Sequence, residues 1–376
     1  MPGEKEKRRS VSSGTRSIRY IRAANATDKL PVVNIAPLLD NDVVARRSVA
    51  KHMGKAAMDT GFLYIENHGV SEALVRQVYD YAETFFTLSF EEKLRYYIGD
   101  SPNHRGFVPV TEKGTYLDET GPRTYEAFDM SLDMTYEDYQ QCGANPLAGP
   151  NVWPEISGFK ECLTRYYDSM RRVGDALCRG FEIALELPDG FFSQHMRYPT
   201  SQLRLIHYIE QPKQKTKVDM GAHTDYECFT VLHTHQKGLQ IINKKGKWID
   251  APPVEGAFAV NIGDLLEAWT NGKLVSTPHR VITDGNERYS IPFFMATDYD
   301  TEVSPIESLL GKEKAVEYTP FIAGEHLMAQ LMRDFPYLKK RYLDGEITLQ
   351  AGAPGPNPFE RKITASESDE AESELD

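Results

Sequence analysis

His223 and Asp225 stand two residues apart in Gly-Ala-His-Thr-Asp-Tyr, and His279 follows in Ser-Thr-Pro-His-Arg-Val. On a β-strand successive side chains alternate faces, so a pair at i and i+2 projects to the same side and can reach one metal ion together. Two imidazoles and one carboxylate, with no softer ligand close by, make the facial set that suits non-haem Fe(II) and leaves positions open for chemistry. A second pair, Arg288 and Ser290 in Glu-Arg-Tyr-Ser-Ile-Pro-Phe-Phe, lies on an apolar, aromatic run that reads as a strand, and would again share one face. A guanidinium fork beside a hydroxyl suits a carboxylate, which points to a small dicarboxylate such as 2-oxoglutarate as co-substrate.

With these residues in place the chain resembles the Fe(II)/2-oxoglutarate-dependent oxygenase superfamily, in the branch that includes isopenicillin N synthase. The resemblance runs over roughly residues 30 to 345 and is carried by blocks in the family's order. They are Leu-Pro-Val-Val-Asn-Ile from Leu30, Asp-Thr-Gly-Phe-Leu-Tyr-Ile-Glu-Asn-His-Gly-Val from Asp59, His223-Thr224-Asp225, Asn-Ile-Gly-Asp-Leu-Leu from Asn261, His279-Arg280-Val281 and Arg288-Tyr289-Ser290. The resemblance implies Fe(II) on His223, Asp225 and His279, and 2-oxoglutarate anchored by Arg288 and Ser290, with Tyr208 of Arg-Leu-Ile-His-Tyr reaching a carboxylate. It also implies oxidation of a small molecule by O2 (hydroxylation, desaturation or cyclisation), with release of succinate and CO2, and stimulation by ascorbate. An amino acid derivative or a secondary metabolite is the expected substrate. Arg105, Tyr125, Arg204, Glu227 and Phe294 are candidates for the substrate pocket.

Several residues also have plainer readings. Tyr208 could be a core tyrosine with a satisfied hydroxyl, and Glu227, where many relatives carry Gly, could face solvent at a strand edge. Glu227 would share the strand face of Asp225. His52, His195, His326 and His68 read as hydrogen-bonded structural residues, and His233 with His235 as surface or strand-end residues. Other chemistries remain open. An Fe(II) oxidase of the isopenicillin N synthase type also carries Arg-x-Ser and needs no 2-oxoglutarate. A non-catalytic binding protein of the same fold would have lost a ligand. A halogenase would lack the carboxylate that Asp225 supplies.

The elements needed to position these groups are visible in outline. With 376 residues, 40% of them hydrophobic, the chain can bury a large core. A strand at 30–35, a helix within 40–60 ending at Gly61, a strand at 62–67 and helices capped by Ser71 and Ser89 open the order. A long helix within 154–185 and short strands at 201–209, 229–233, 239–243, 248–250, 257–262 and 290–296 follow, with helical spacing returning at 303–345. The fold class is α+β with a mainly β core. The strands suggest a jelly roll, and the resemblance specifies a distorted double-stranded β-helix with an N-terminal helix and strand region and C-terminal helices.

The expected divisions are a disordered basic tail at 1–28, an N-terminal dioxygenase region at 29–150, supporting helices at 151–200, the jelly-roll core at 201–300, a helical cover at 301–346 and a disordered acidic tail at 347–376. A net charge of −12 argues against nucleic acid as a partner. No apolar run has the length to span a membrane, and four scattered cysteines suit reduced thiols, so a cytoplasmic monomer or weak homodimer is expected.

Overall fold

A computed structural model describes residues 30–40, 42–110, 124–143, 145–211, 217–310 and 318–349. The expected basic tail and all but the first residues of the acidic tail lie outside them. Ile347 and Leu349, at the start of that expected acidic tail, are buried among side chains of the C-terminal helices.

The chain opens with β1 (Val32–Asn34), a single helical turn α1 (Ala36–Leu39), α2 (Val43–Asp59) and β2 (Phe62–Glu66). Asp42 caps α2 by accepting from the Val44 and Ala45 amides. Helix α3 (Glu72–Phe86) is capped by Ser71, and α4 (Phe90–Leu94) opens on a reciprocal capping box between Ser89 and Glu92, as the sequence predicts. Strands β3 (Gly106–Val108) and β4 (Tyr125–Ser131) and the short α5 (Tyr136–Gln140) lead to the long α6 (Phe159–Ala184). The spacing predicts a helix from Pro154. The helix begins at Phe159 instead, because Gly158 stands in the left-handed region at φ 81° with the Tyr81 hydroxyl packed where a Cβ would be.

After α6 come β5 (Gln202–Tyr208), β6 (Lys217–His223), β7 (Phe229–Thr234), β8 (Leu239–Ile242), β9 (Trp248–Asp250) and β10 (Ala257–Ile262). Then follow α7 (Asp264–Trp269), β11 (His279–Thr283), β12 (Arg288–Met295), the small pair β13 (Glu302–Val303) and β14 (Phe321–Ile322), α8 (Ala323–Asp334) and α9 (Pro336–Leu343). Eight strands form the main sheet in the order β1-β2-β10-β7-β12-β5-β4-β3, and β6-β11-β8-β9 form the second. Two facing sheets with crossed strand order are the expected jelly roll. The polar strands β6 and β11 are not evident from hydrophobic alternation; the second sheet supplies one wall of the site through them.

The main sheet divides its two faces strictly. On β12, Tyr289, Ile291, Phe293 and Met295 turn toward the principal core with α2, α3 and α6, while Arg288, Ser290, Pro292 and Phe294 turn into a cavity between the sheets. On β5, Gln202, Arg204, Ile206 and Tyr208 face that cavity. Pairing of β12 with β5 is interrupted at Ile291 and Pro292, the latter with no N–H to give, and resumes at Phe293 opposite Leu203. Helices α8 and α9 close a second apolar cluster over Tyr208, Ile206 and Val281.

The helical layer depends on close approach between α2 and α6. A Cβ built on Gly54 would stand 2.6 Å from the Ala184 Cβ, which cannot rotate away. Replacing Gly by a side chain in a helix gains at most about 1 kcal/mol of propensity, whereas overpacking a tight contact costs about 1–3 kcal/mol. Gly54→Val should therefore lower stability by about 1–3 kcal/mol in a denaturant titration. A Val variant as stable as the parent would show that this crossing has slack.

Candidate metal centre and substrate cavity

His223 closes β6 and His279 opens β11, and the two residues are paired directly across the second sheet. Between Met220 and His223 the register slips by one residue, a bulge that re-aims the end of β6. Each imidazole is oriented by a main-chain carbonyl two residues earlier. Nδ1 of His223 lies 2.8 Å from Gly221 O and Nδ1 of His279 lies 3.2 Å from Thr277 O. With Nδ1–H donating to those carbonyls, Nε2 of both rings is left as the lone-pair side facing Asp225. The distances to Asp225 Oδ1 are 3.7 Å from His223 Nε2 and 3.5 Å from His279 Nε2. One ligand atom from each residue falls within 4.8 Å of the others, the only such three-residue group among the described residues.

Asp225 is not on the strand that its spacing suggests. It lies in the turn between β6 and β7, and Glu227 shares that turn rather than a strand face. The turn is fastened to the start of α7: the Asp264 amide donates to Asp225 O at 2.8 Å, Leu265 to Glu227 O at 3.2 Å and Gly263 to Cys228 O at 2.9 Å. Gly263 permits this approach, because a Cβ there would stand 2.3 Å from Glu227 O. The Asn-Ile-Gly-Asp block thus has a mechanical meaning. Asn261 also donates through Nδ2 to Asp225 Oδ2 at 2.5 Å, and the Thr230 hydroxyl donates to the same oxygen. With Oδ2 occupied, Oδ1 is left for the imidazoles. Sequence reasoning names neither Asn261 nor Thr230 as a site residue; the signal for Asn261 is its place in that block.

The electrostatics agree with a ligand set. Burial pushes the Asp225 carboxyl up, but the charge and hydrogen bond of His279 outweigh this and hold it well below the usual carboxylate range. Burial and the neighbouring His279 pull His223 down to about 4, so its imidazole is neutral at pH 7, as coordination requires. For His279 burial acts downward and Asp225 upward, and the net direction is upward.

Opposite the triad, Arg288 and Ser290 enter from β12 as their alternation predicts. Arg288 is 3% exposed, and its Nε and Nη1 are buried without a hydrogen-bond partner. Its guanidinium lies 4.7 Å over the Tyr208 ring, and the Tyr208 hydroxyl is within reach of Ser290 and Arg288. At Gly238, φ is 135° and a Cβ would lie 3.5 Å from Arg288 Nε, so the absence of a side chain keeps that flank open. Triad and anchor line one cavity of about 400 Å³, together with Tyr125, Arg204, Glu227, Asn261, Phe294 and, from the end of α8, Leu331, Arg333 and Asp334.

Of the predicted pocket residues only Arg105 is elsewhere. It is buried, and its guanidinium donates to the carbonyls of Asn103, His104 and Leu147 at 2.7–2.9 Å, tying two loops together. Arg204 borders the cavity while donating Nε and Nη2 to Asp129 at 2.6 and 2.7 Å. Glu227 is 5% exposed rather than solvent-facing, and burial, with the Asp225 charge beside it, pushes it up to about 8. His207 turns to the opposite face, between Glu126 and Glu287. His233 is buried at the end of β7 with Nδ1 2.8 Å from the Tyr79 hydroxyl, not at the surface. His52 is exposed on α2, whereas His68 is buried and stacks on Phe258. His326 is buried in α8, and His195 is half-buried against Trp269. No helix among the described residues is long and apolar enough to cross a membrane, and the four cysteines are free thiols.

Residues 199–297 match the model of the 2OG-Fe(II) oxygenase superfamily, and residues 30–156 match that of the N-terminal region of the non-haem dioxygenase in morphine synthesis. A homoarginine-6-hydroxylase of Glycine max is 33% identical over 331 residues, covering 82% of this chain and 99% of the relative. The 2-oxoglutarate-Fe(II) type oxidoreductase ppzC of Metarhizium rileyi is 32% identical over 317 residues, covering 77% and 83%. Among solved structures, a full-length Neurospora crassa protein in complex with alpha-KG superposes with a TM-score of 0.71 at 26% identity, over 81% of this chain and 96% of that one. A putative 2OG-Fe(II) oxygenase family protein of Caulobacter crescentus gives 0.71 at 28% identity, over 81% and 98%. Fold, ligand-type cluster and relatives converge, and the chain belongs to the Fe(II)/2-oxoglutarate-dependent oxygenase superfamily.

Proposed function

We propose that His223, Asp225 and His279 hold the Fe(II) of this dioxygenase, that Arg288, Ser290 and Tyr208 anchor 2-oxoglutarate, and that an amino acid derivative is oxidised beside them. The observation that carries this reading is the buried, unpartnered edge of Arg288, which faces the same cavity as the triad. A buried guanidinium without an acceptor is costly, and a carboxylate supplies the missing acceptor with charge-assisted bonds. Bound at the triad, Fe(II) supplies activation of O2 coupled to decarboxylation of 2-oxoglutarate, yielding succinate and CO2.

The chain's own groups set the conditions for that chemistry. Gly221 O and Thr277 O fix the imidazole tautomers, Asn261 and Thr230 hold the carboxylate to one orientation, and α8 with its apolar residues restricts water. Ascorbate, by keeping iron ferrous, should stimulate turnover. The homoarginine-6-hydroxylases of Glycine max and Oryza sativa support an amino acid derivative as substrate. The mixed charge of the cavity wall agrees with that class, and the net charge of −12 favours a small molecule over a polyanion.

Two outcomes test the assignment. Asn261→Ala removes one of the two side-chain donors to Asp225 Oδ2 and should weaken Fe(II) binding by about 10- to 100-fold, the usual effect of losing such a support. Metal titration of the variant checks this, and an unchanged affinity would detach Asn261 from the centre. Arg288→Lys keeps the charge and loses the planar fork. It should raise the Michaelis constant for 2-oxoglutarate by about tenfold or more, equivalent to about 1–3 kcal/mol, with a smaller effect on the primary substrate. An unchanged constant would favour an oxidase that uses O2 without a 2-oxo acid.

A further inference from the structure

Glu227 is an acidic side chain of the cavity that the anchor and the triad leave unexplained. It is 5% exposed, and it borders the cavity from the same turn that presents Asp225. Main-chain N–H groups of Tyr226 and of its own residue lie near its carboxyl, which has no ion pair among the described residues. The cation that acts on it, Arg204, is already committed to Asp129 through two donors, and the other charge acting on it is the like charge of Asp225. The backbone cannot carry the side chain elsewhere, because Glu227 O accepts from Leu265 N and packs against Gly263.

A surface role is excluded by its burial. A carboxyl buried without a cationic or side-chain partner is costly to ionise, and a cation brought beside it offsets that cost. Arg333 and Asp334 border the same cavity, with the Tyr226 hydroxyl 3.4 Å from Asp334 Oδ2. That wall brings one acidic and one basic group to the surroundings of a ligand.

We propose that Glu227 determines substrate choice by receiving a cationic group, an ammonium or a guanidinium, of the small molecule that is oxidised. The inference rests on the dioxygenase reading of this cavity and narrows its substrate class. A cation seated on Glu227 tethers one end of the substrate beside the turn that carries Asp225. The substrate then supplies the counter-charge that the protein withholds, and neutral isosteres leave the carboxylate buried and unpaired.

The test uses the full chain with Fe(II) and 2-oxoglutarate and a panel of matched probes: L-homoarginine, L-arginine and L-lysine against L-homocitrulline, L-citrulline and L-norleucine. Succinate release above background and calorimetric binding under anaerobic conditions are both read. At least one cationic probe should be preferred over its neutral partner by about ten- to a hundredfold, the range of one charge-assisted hydrogen bond. Glu227→Gln should collapse that ratio toward unity, and Glu227→Asp, which keeps the charge on a shorter stem, should restore part of it. A role in folding alone would lower the melting temperature and leave the ratio intact. Equal preference for neutral and cationic probes, stimulation by none of the cations, or an unchanged ratio in the Gln variant overturns the proposal. If 2-oxoglutarate is still consumed in those cases, the dioxygenase reading stands without it. If no condition consumes 2-oxoglutarate, both fail.

Discussion

One oxygen of Asp225 is occupied so that the other can be offered. Asn261 and Thr230 both donate to Oδ2, and Oδ1 is left facing His223 and His279. Without that restraint a carboxylate in a turn would rotate about its last bond and present either oxygen, or swing toward solvent. The restraint in turn requires the turn to lie against the start of α7. This is possible because Gly263 has no side chain and because the amides of Gly263, Asp264 and Leu265 find acceptors in the turn itself. Burial raises the stakes, since each of these groups would cost about 1–3 kcal/mol if left unpaired.

The β-architecture distributes work by side-chain parity. Alternation on β5 and β12 gives one face of the main sheet to the core beneath α2, α3 and α6 and the other to the cavity. The anchor side chains are therefore borne on central strands paired on both sides, while the ligands come from the ends of β6 and β11 and the following turn. Rigid support for the co-substrate and a bulged, re-aimed strand end for the metal are different solutions placed face to face. The wall contributed by the end of α8 comes from outside the sheets altogether.

Much of this is legible in the sequence, and the failures have physical causes. Arg288 and Ser290 fall where alternation puts them because their strand is apolar and its pattern is clean. His223 and Asp225 come together as their spacing suggests but for a different reason, since a spacing of two looks the same in a strand and in a turn that curls over a helix start. Arg105 looks like a pocket cation, but its two terminal nitrogens are taken by the carbonyls of Asn103, His104 and the distant Leu147, a pattern no local motif reports. His233 reads as peripheral because its partner, Tyr79, is 154 residues away. Tertiary hydrogen bonds of this kind, including those of Thr230 and Asn261, leave no periodic trace.

The measurement closest to the central claim is an anaerobic optical titration with Fe(II) followed by 2-oxoglutarate. A 2-oxo acid chelated to Fe(II) gives a visible metal-to-ligand charge-transfer absorption, so the band reads iron and 2-oxoglutarate held together in one cavity. The account predicts that this band grows to saturation at one equivalent of iron per chain and is absent with succinate in place of 2-oxoglutarate. Iron that binds without the band at saturating 2-oxoglutarate would contradict it.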